Sequence, residues 1–362
     1  MKLVSSPNEL NKFCSDVTKI AKYVAIDTEF VRHNTYYAKL CLIQLAFIDG
    51  KSKRILLLDP LVNNLNLDPL KELFNNRDIV KVIHASRQDL EIFLKLFDFL
   101  PIPLFDTQVA AMVCGKGEQE SYENLVKKLL GKQVNKECQF TDWSKRPLSN
   151  EQIKYASEDV SYLCDLYEIL KNELNDLGRS TWVTEEIEKL TDRTNYISKA
   201  KYSLRKIKGI TGSIHFKNLV AAILEVRESI AQQLNLPRNQ VIKDPLIQKL
   251  AKSSPKTIEE LKELNIFSPK INESSYYPMV LDIFTQQRMT RETDLGTTSN
   301  PKINDYTINK INLLKVLLKM KSSELRVAPK LIATTKDLEI IARENNPDVP
   351  ALKGWRKEIF GE

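Results

Sequence analysis

Tyr23–Phe30 reads YVAIDTEF, an apolar run that closes on two carboxylates one residue apart. Tyrosine, valine and isoleucine favour extended backbone, so the segment is expected to be a strand. Side chains alternate along a strand, which places Asp27 and Glu29 on the same face of the sheet. Two like charges that close repel each other, and a hard divalent cation relieves the repulsion. Taken alone, the pair is better read as a solvated strand end, so the surrounding sequence has to decide.

Two further β-rich runs follow, Leu40–Ile48 (LCLIQLAFI) and Ile55–Asp59 (ILLLD), and Val80–Ala85 is another strand candidate. Polar segments and helical spacing separate them, and no long structureless insertion is expected before residue 192. The N-terminal half therefore reads as α/β. From about Arg193 the strand signals stop, and apolar residues recur at helical spacing, as at Leu219, Ile223, Val226 and Ile230. Lys199–Lys208 (KAKYSLRKIK) holds five basic and no acidic residues and reads as a connector, and the polar stretch Asn272–Pro301 reads as a second break. VIKDPLIQKLA (Val241–Ala251) is loosely echoed by LIATTKDLEIIA (Leu331–Ala342), about 90 residues later.

With 362 residues, 42% hydrophobic and 28% charged, the chain suits two or three globular domains. No apolar stretch approaches the ~20 residues of a membrane helix, and MKLVSSPNEL carries no secretion signal, so a cytoplasmic location is expected. Five cysteines without a C-x-x-C pair suggest reduced, buried thiols. Three scattered histidines make zinc an unsuitable metal. The net charge of +7 is uneven: residues 1–192 carry 25 Lys/Arg against 29 Asp/Glu, a net −4, and residues 193–362 carry 29 against 18, a net +11. Such a split suits one half that works with cations and another that meets a polyanion, although a solvated basic surface would look the same.

Further carboxylates extend the first signal. Ser86-Arg87-Gln88-Asp89 follows His84-Ala85 and reads as a capping box, with Asp89 either capping its helix or reaching a ligand. Ser149-Asn150-Glu151-Gln152 opens another helix, on which Tyr155 and Asp159 lie one turn apart on one face. Gln44 reads as a satisfied polar group in the core. Asp106 and Asp142 read as cap or turn residues, and Trp143 and Trp355 as packing anchors. His84 could contact phosphate or pack at the strand end, and Phe30 could stack on a terminal base or join the core.

Together, a strand D-T-E, an aspartate after H-A-x-x and a helical Y-x-x-x-D resemble the DEDD superfamily of 3′→5′ exonucleases. The matching residues are Asp27, Glu29, Asp89 and Asp159, with Tyr155 four positions before the last aspartate. Lys154 stands where the histidine branch would have its histidine, so the resemblance is to the tyrosine branch. Within it the chain resembles the ribonuclease D family through VAIDTEF, LCLIQLAF, HASRQDLEIF, FDTQVAA, TDWSKRPLS, YASEDVSYL and WVTEEI. Val226–Ala251 is similar to the helical HRDC domain, and LKGWRKEIFG is similar to the end of ribonuclease D chains.

This resemblance implies an α/β exonuclease domain, a ribonuclease H-like mixed sheet with flanking helices, followed by two all-helical HRDC-type domains. The expected boundaries are 1–192 for the exonuclease domain, 193–211 for the basic connector, 212–292 for HRDC and 293–362 for a second HRDC-like domain. It also implies two Mg²⁺ or Mn²⁺ ions per site, with Asp27 bridging both, Glu29 and Asp159 completing the first and Asp89 holding the second. Tyr155 would orient the attacking water. Phe30 and His84 are the expected substrate contacts. The implied partner is RNA, at precursor tRNA 3′ ends, and the expected products are nucleoside 5′-monophosphates. A monomer without membrane association is expected. A DNA 3′→5′ exonuclease and a non-catalytic RNA-binding scaffold are the competing readings.

Overall fold

The computed structural model describes residues 3–62, 65–196, 210, 212–269, 271, 275–290 and 304–361. The Lys199–Lys208 connector therefore lies wholly outside the described residues. By contacts the described chain forms two units: Met1–Val31 with Leu40–Arg193 and Lys302–Glu362, and Arg32–Lys39 with Thr194–Pro301. Of the 293–362 module expected from the sequence, residues 302–362 fall into the first unit.

In the first unit, six strands form one mixed sheet: β1 (Leu3–Val4), β2 (Tyr23–Val31), β3 (Lys39–Asp49), β4 (Ser52–Leu58), β5 (Val80–Ile83) and β6 (Leu104–Asp106). Their order is β1-β4-β3-β2-β5-β6. β3 and β4 pair antiparallel from Ile43↔Leu58 to Asp49↔Ser52, across a two-residue turn in which Gly50 takes the positive φ that glycine tolerates. β2 runs parallel to β5, with Tyr23 opposite Val80 and Ala25 opposite Val82, and β5 runs parallel to β6. The two shortest strands, β1 and β6, carry no periodic sequence signal of their own.

Helix α1 (Pro7–Ile20) buries Leu10, Phe13, Cys14 and Val17 and contacts α2 (Asp68–Asn75). α3 (Arg87–Phe97), α4 (Thr107–Val113) and α5 (Tyr122–Leu130) precede the long α6 (Asn150–Asp176), which is followed by α7 (Ser180–Leu190). α6 opens on a complete capping box: the Ser149 hydroxyl accepts from Gln152 N, and Gln152 Oε1 accepts from Ser149 N. Val160, Leu163, Cys164 and Tyr167 of α6 pack on Tyr23 and Ala25 of β2, Ala46 and Val82. This contact positions the site, because Tyr23, Ala25, Asp27 and Glu29 share one face of β2.

Residues 131–149 form neither helix nor strand, which corrects the expectation that the first 192 residues hold no long irregular insertion. Packing and charge hold this segment in place. Trp143, 1% exposed, joins Cys41, Leu42, Leu57 and Ala156 in one apolar cluster. Arg146 forks onto Asp59, Nε to Oδ2 at 2.6 Å and Nη2 to Oδ1 at 2.7 Å, and it also reaches the Cys41 carbonyl.

The later residues of this unit contribute a helix at Asp305–Leu325, short turns and a helix at Thr335–Arg343. Trp355 stacks on Trp182 of α7 with ring centroids 4.1 Å apart and 9° between planes. All five cysteines are reduced and buried.

Among the described residues from 210 onward, the regular structure of the second unit is helical, apart from an isolated bridge between Ile242 and Phe267. Its helix Tyr277–Thr290 falls inside the stretch expected to be a break. Tyr277, Val280 and Phe284 recur at helical spacing and bury into the core, which outweighs the polar composition. Helices starting at residues 214, 238 and 244 are matched in the first unit by helices starting at 305, 329 and 335, each 91 residues later. Among the described residues, no helix is long and apolar enough to cross a membrane.

Candidate active site

The shared face of β2 fixes the site. Where Tyr23 and Ala25 end their packing against α6, Asp27 and Glu29 continue along the same face and meet Asp159, the α6 residue next to Val160. One carboxylate oxygen from each of Asp27, Glu29 and Asp159 lies within 4.8 Å of the other two. Three hard oxygen donors at this spacing suit a divalent cation such as Mg²⁺ or Mn²⁺. Asp159 Oδ1 is buried and has no hydrogen-bond partner among the described residues, which fits a ligand atom.

Asp89 lies outside this trio. It is buried on α3, and its Oδ1 accepts from the hydroxyl of Thr28, the β2 residue that stands between the two carboxylates in sequence. The capping box expected there is not formed: Ser86 stands at the N-cap without a side-chain cap bond. Asp106 instead accepts from the backbone N–H groups of Ala85 and Ser86, and it also caps α4 through Gln108 N and Val109 N.

The electrostatics follow from crowding in a desolvated space. Burial, and then the charges of Asp27, Asp159 and Asp89, push the Glu29 carboxyl upward. Asp89 and Asp159 are raised by burial first and by the charge of Asp27 second. Asp27 is raised to about 6, chiefly by burial. Four carboxyls that resist joint ionisation form a site that a cation would neutralise.

Tyr155 is half-buried, hydrogen-bonds to the Asp159 carboxylate and lies 6.0 Å from the Trp143 ring. Burial, and then the charges of Asp159, Glu29 and Asp27, hold its phenol far above the ordinary tyrosine value. It keeps its proton and is available as a donor.

His84 Nδ1 lies 2.9 Å from Thr107 Oγ1, and the ring meets Tyr122 edge to face at 5.5 Å. Burial lowers its pKa, so it is neutral at pH 7 and brings no charge to a phosphate. Phe30 is half-buried beside Glu29. Gln44 is fully buried, but its side-chain amide has no partner among the described residues, contrary to the satisfied core group expected. Sequence reasoning missed Thr28, Tyr122 and the Arg146–Asp59 pair. Thr28 could have been found from its place inside D-T-E, whereas no spacing rule links Tyr122 to residue 159 or Arg146 to residue 59.

This arrangement defines the class: a carboxylate site at the junction of a strand and a long helix, on a mixed sheet, of the kind used to hydrolyse phosphodiesters. Residues 1–175 match the 3′-5′ exonuclease family model, and residues 216–283 match the HRDC domain. The chain is 38% identical to ribonuclease D of Granulibacter bethesdensis, across 99% of this chain and 90% of that protein. It is 38% identical to ribonuclease D of Bartonella henselae, across 100% and 88%. The crystal structure of Escherichia coli RNase D, an exoribonuclease involved in structured RNA processing, superposes with a TM-score of 0.82 at 25% identity, covering 99% of this chain and 96% of that one. The catalytic core of RRP6 from Trypanosoma brucei shares the fold, with a TM-score of 0.55 at 22% identity over 80% of this chain and 79% of the other. The chain belongs to the ribonuclease D family and is a 3′→5′ exoribonuclease, a hydrolase of a divalent-metal-dependent class that acts on RNA.

Proposed function

We propose that this enzyme removes nucleotides one at a time from RNA 3′ ends by a two-metal mechanism, with precursor tRNA as its substrate, acting as a monomer in the cytoplasm. The convergence of Asp27, Glu29 and Asp159 from β2 and α6, with Asp89 beside them, carries the reading. When bound, two Mg²⁺ or Mn²⁺ ions would supply Lewis-acid stabilisation of the phosphorus centre and leaving oxygen and would acidify the attacking water. Asp27, Glu29 and Asp159 would hold one ion, and Asp89 would share the second with Asp27. Tyr155 keeps its hydroxyl proton and orients the water by hydrogen bonding. Phe30, next to Glu29, offers a ring for the terminal base, and His84, neutral and packed against Tyr122, contributes to the wall of the substrate path.

The basic second half suits capture of the RNA backbone. The repeat of three helix starts at a 91-residue offset supports reading residues 293–362 as a diverged HRDC-like module. Asp27→Ala and Asp159→Ala, purified and shown to be folded, should lose nearly all turnover yet still bind RNA. Near-normal rates in either variant would overturn the assignment.

A further inference from the structure

The backbone carbonyl of Asp159 has two possible donors. Inside a helix its ordinary partner is the amide four residues on. The Tyr122 hydroxyl also donates to it, from a different element, and the Glu158 carbonyl lies 3.5 Å from the same hydroxyl. Tyr122 occupies the first position of α5, where Ser121 caps the helix by accepting from Asn124 N at 3.3 Å. Its ring is held from two sides. It packs against the cluster that joins β2 to α6, and it meets the edge of His84, which is itself tied to Thr107. Just before it in the chain, the Glu120 carbonyl accepts from Gln108 Nε2 at 2.9 Å, which anchors the approach to α5 on α4.

We infer that Tyr122 is a positioning residue for hydrolysis: its hydroxyl sets the depth and rotation of α6 at Asp159, so that this carboxylate meets Asp27 and Glu29. The inference rests on the proposed carboxylate site. A phenylalanine would fill the same space, so packing alone does not call for the hydroxyl, and the hydroxyl adds a directed tie to the residue that completes the trio. Sites of this kind tolerate only ~0.5 Å of displacement, and an error of ~1 Å can cost ~10²-fold in rate.

Tyr122→Phe in the full chain keeps the ring and removes the tie. Its kcat on a short single-stranded RNA should fall ~10-fold with KM within ~2-fold, the signature of a missing positioning tie. Mn²⁺ binding to the RNA-free protein, measured by electron paramagnetic resonance of the unbound ion, should weaken ~3-fold or more, because one ligand is less well placed. Val126→Ala, a buried truncation on the same helix, serves as a control: even with an equal or larger fall in melting temperature it should keep wild-type kcat and Mn²⁺ affinity. Wild-type kcat and Mn²⁺ affinity in Tyr122→Phe would overturn the inference. Asp159→Asn separates the two claims. If it is inactive while Tyr122→Phe is normal, only the tie fails, whereas an active Asp159→Asn removes the site reading itself.

Discussion

Replacing Asp27 with Asn should stabilise the metal-free protein at alkaline pH while abolishing turnover. Burial raises this carboxyl from 3.8 to about 6. A raised carboxylate pKa contributes stability that is fully present below the unfolded value, near pH 4, and is lost as pH rises through the folded value, here about 6. At 1.36 kcal/mol per pKa unit, the wild type should lose about 3 kcal/mol from this group between pH 4 and pH 8. Asparagine cannot ionise and loses nothing, and its neutrality also removes the Asp27 charge that raises Glu29, Asp89 and Asp159. In EDTA the variant should therefore match the wild type near pH 3.5, below the unfolded value, and exceed it by about 3 kcal/mol at pH 8. Urea unfolding followed by tryptophan fluorescence suits the test, because Trp143, Trp182 and Trp355 all lie in the first unit. Excess Mg²⁺ should close or reverse the gap, since ligand at 100 times its Kd stabilises the wild type by about 2.7 kcal/mol. A stability difference independent of pH in EDTA, or a wild type more stable than the variant at pH 8, would refute the reasoning.

Tyr155→Phe should lower kcat by ~10²-fold with little change in KM, since it deletes only the hydroxyl to which the proposed mechanism gives the orienting of water; steady-state kinetics on a short RNA checks this, and an unchanged kcat would leave Tyr155 a packing residue. Arg146→Ala removes the guanidinium from Asp59, which is 4% exposed, and should cost ~3–5 kcal/mol in urea unfolding because a buried charge is left unpaired. Lys249→Ala with Lys252→Ala, both exposed in the second unit, should flatten the log–log salt dependence of RNA affinity by ~0.7–0.9 for each phosphate no longer neutralised. An unchanged slope would place the RNA path elsewhere.

The parts legible in the sequence are those with a short period. Alternation along YVAIDTEF put Asp27 and Glu29 on one face, and four-residue spacing put Tyr155 and Asp159 on one stripe of α6, below the capping box at Ser149 and Gln152. The apolar residues of the same strand and helix then bring the two pairs together, so the trio follows from local rules plus one packing contact. Asp89 was harder, because S-x-x-D has the form of a helix cap. Its actual partner, Thr28, is 61 residues away, and only the closed sheet brings the two together. The irregular segment 131–149 was illegible for the same reason: its order comes from Arg146 reaching Asp59 and from Trp143 filling the core, neither of which leaves a periodic mark. Tyr277–Thr290 shows the opposite error, in which polar composition hid an apolar helical spacing.

The central claim is that the carboxylate site hydrolyses RNA from its 3′ end with water as the nucleophile. Its most direct test uses a single-stranded RNA labelled at its 5′ end, digested with Mg²⁺ in H₂¹⁸O, beside a DNA of the same sequence. The account predicts a ladder shortened from the 3′ end of the RNA, release of nucleoside 5′-monophosphates carrying ¹⁸O on the phosphate, and no products in EDTA. Release of the 5′-labelled nucleotide first, products with 3′ or cyclic phosphates, or undiminished cleavage in EDTA would contradict it.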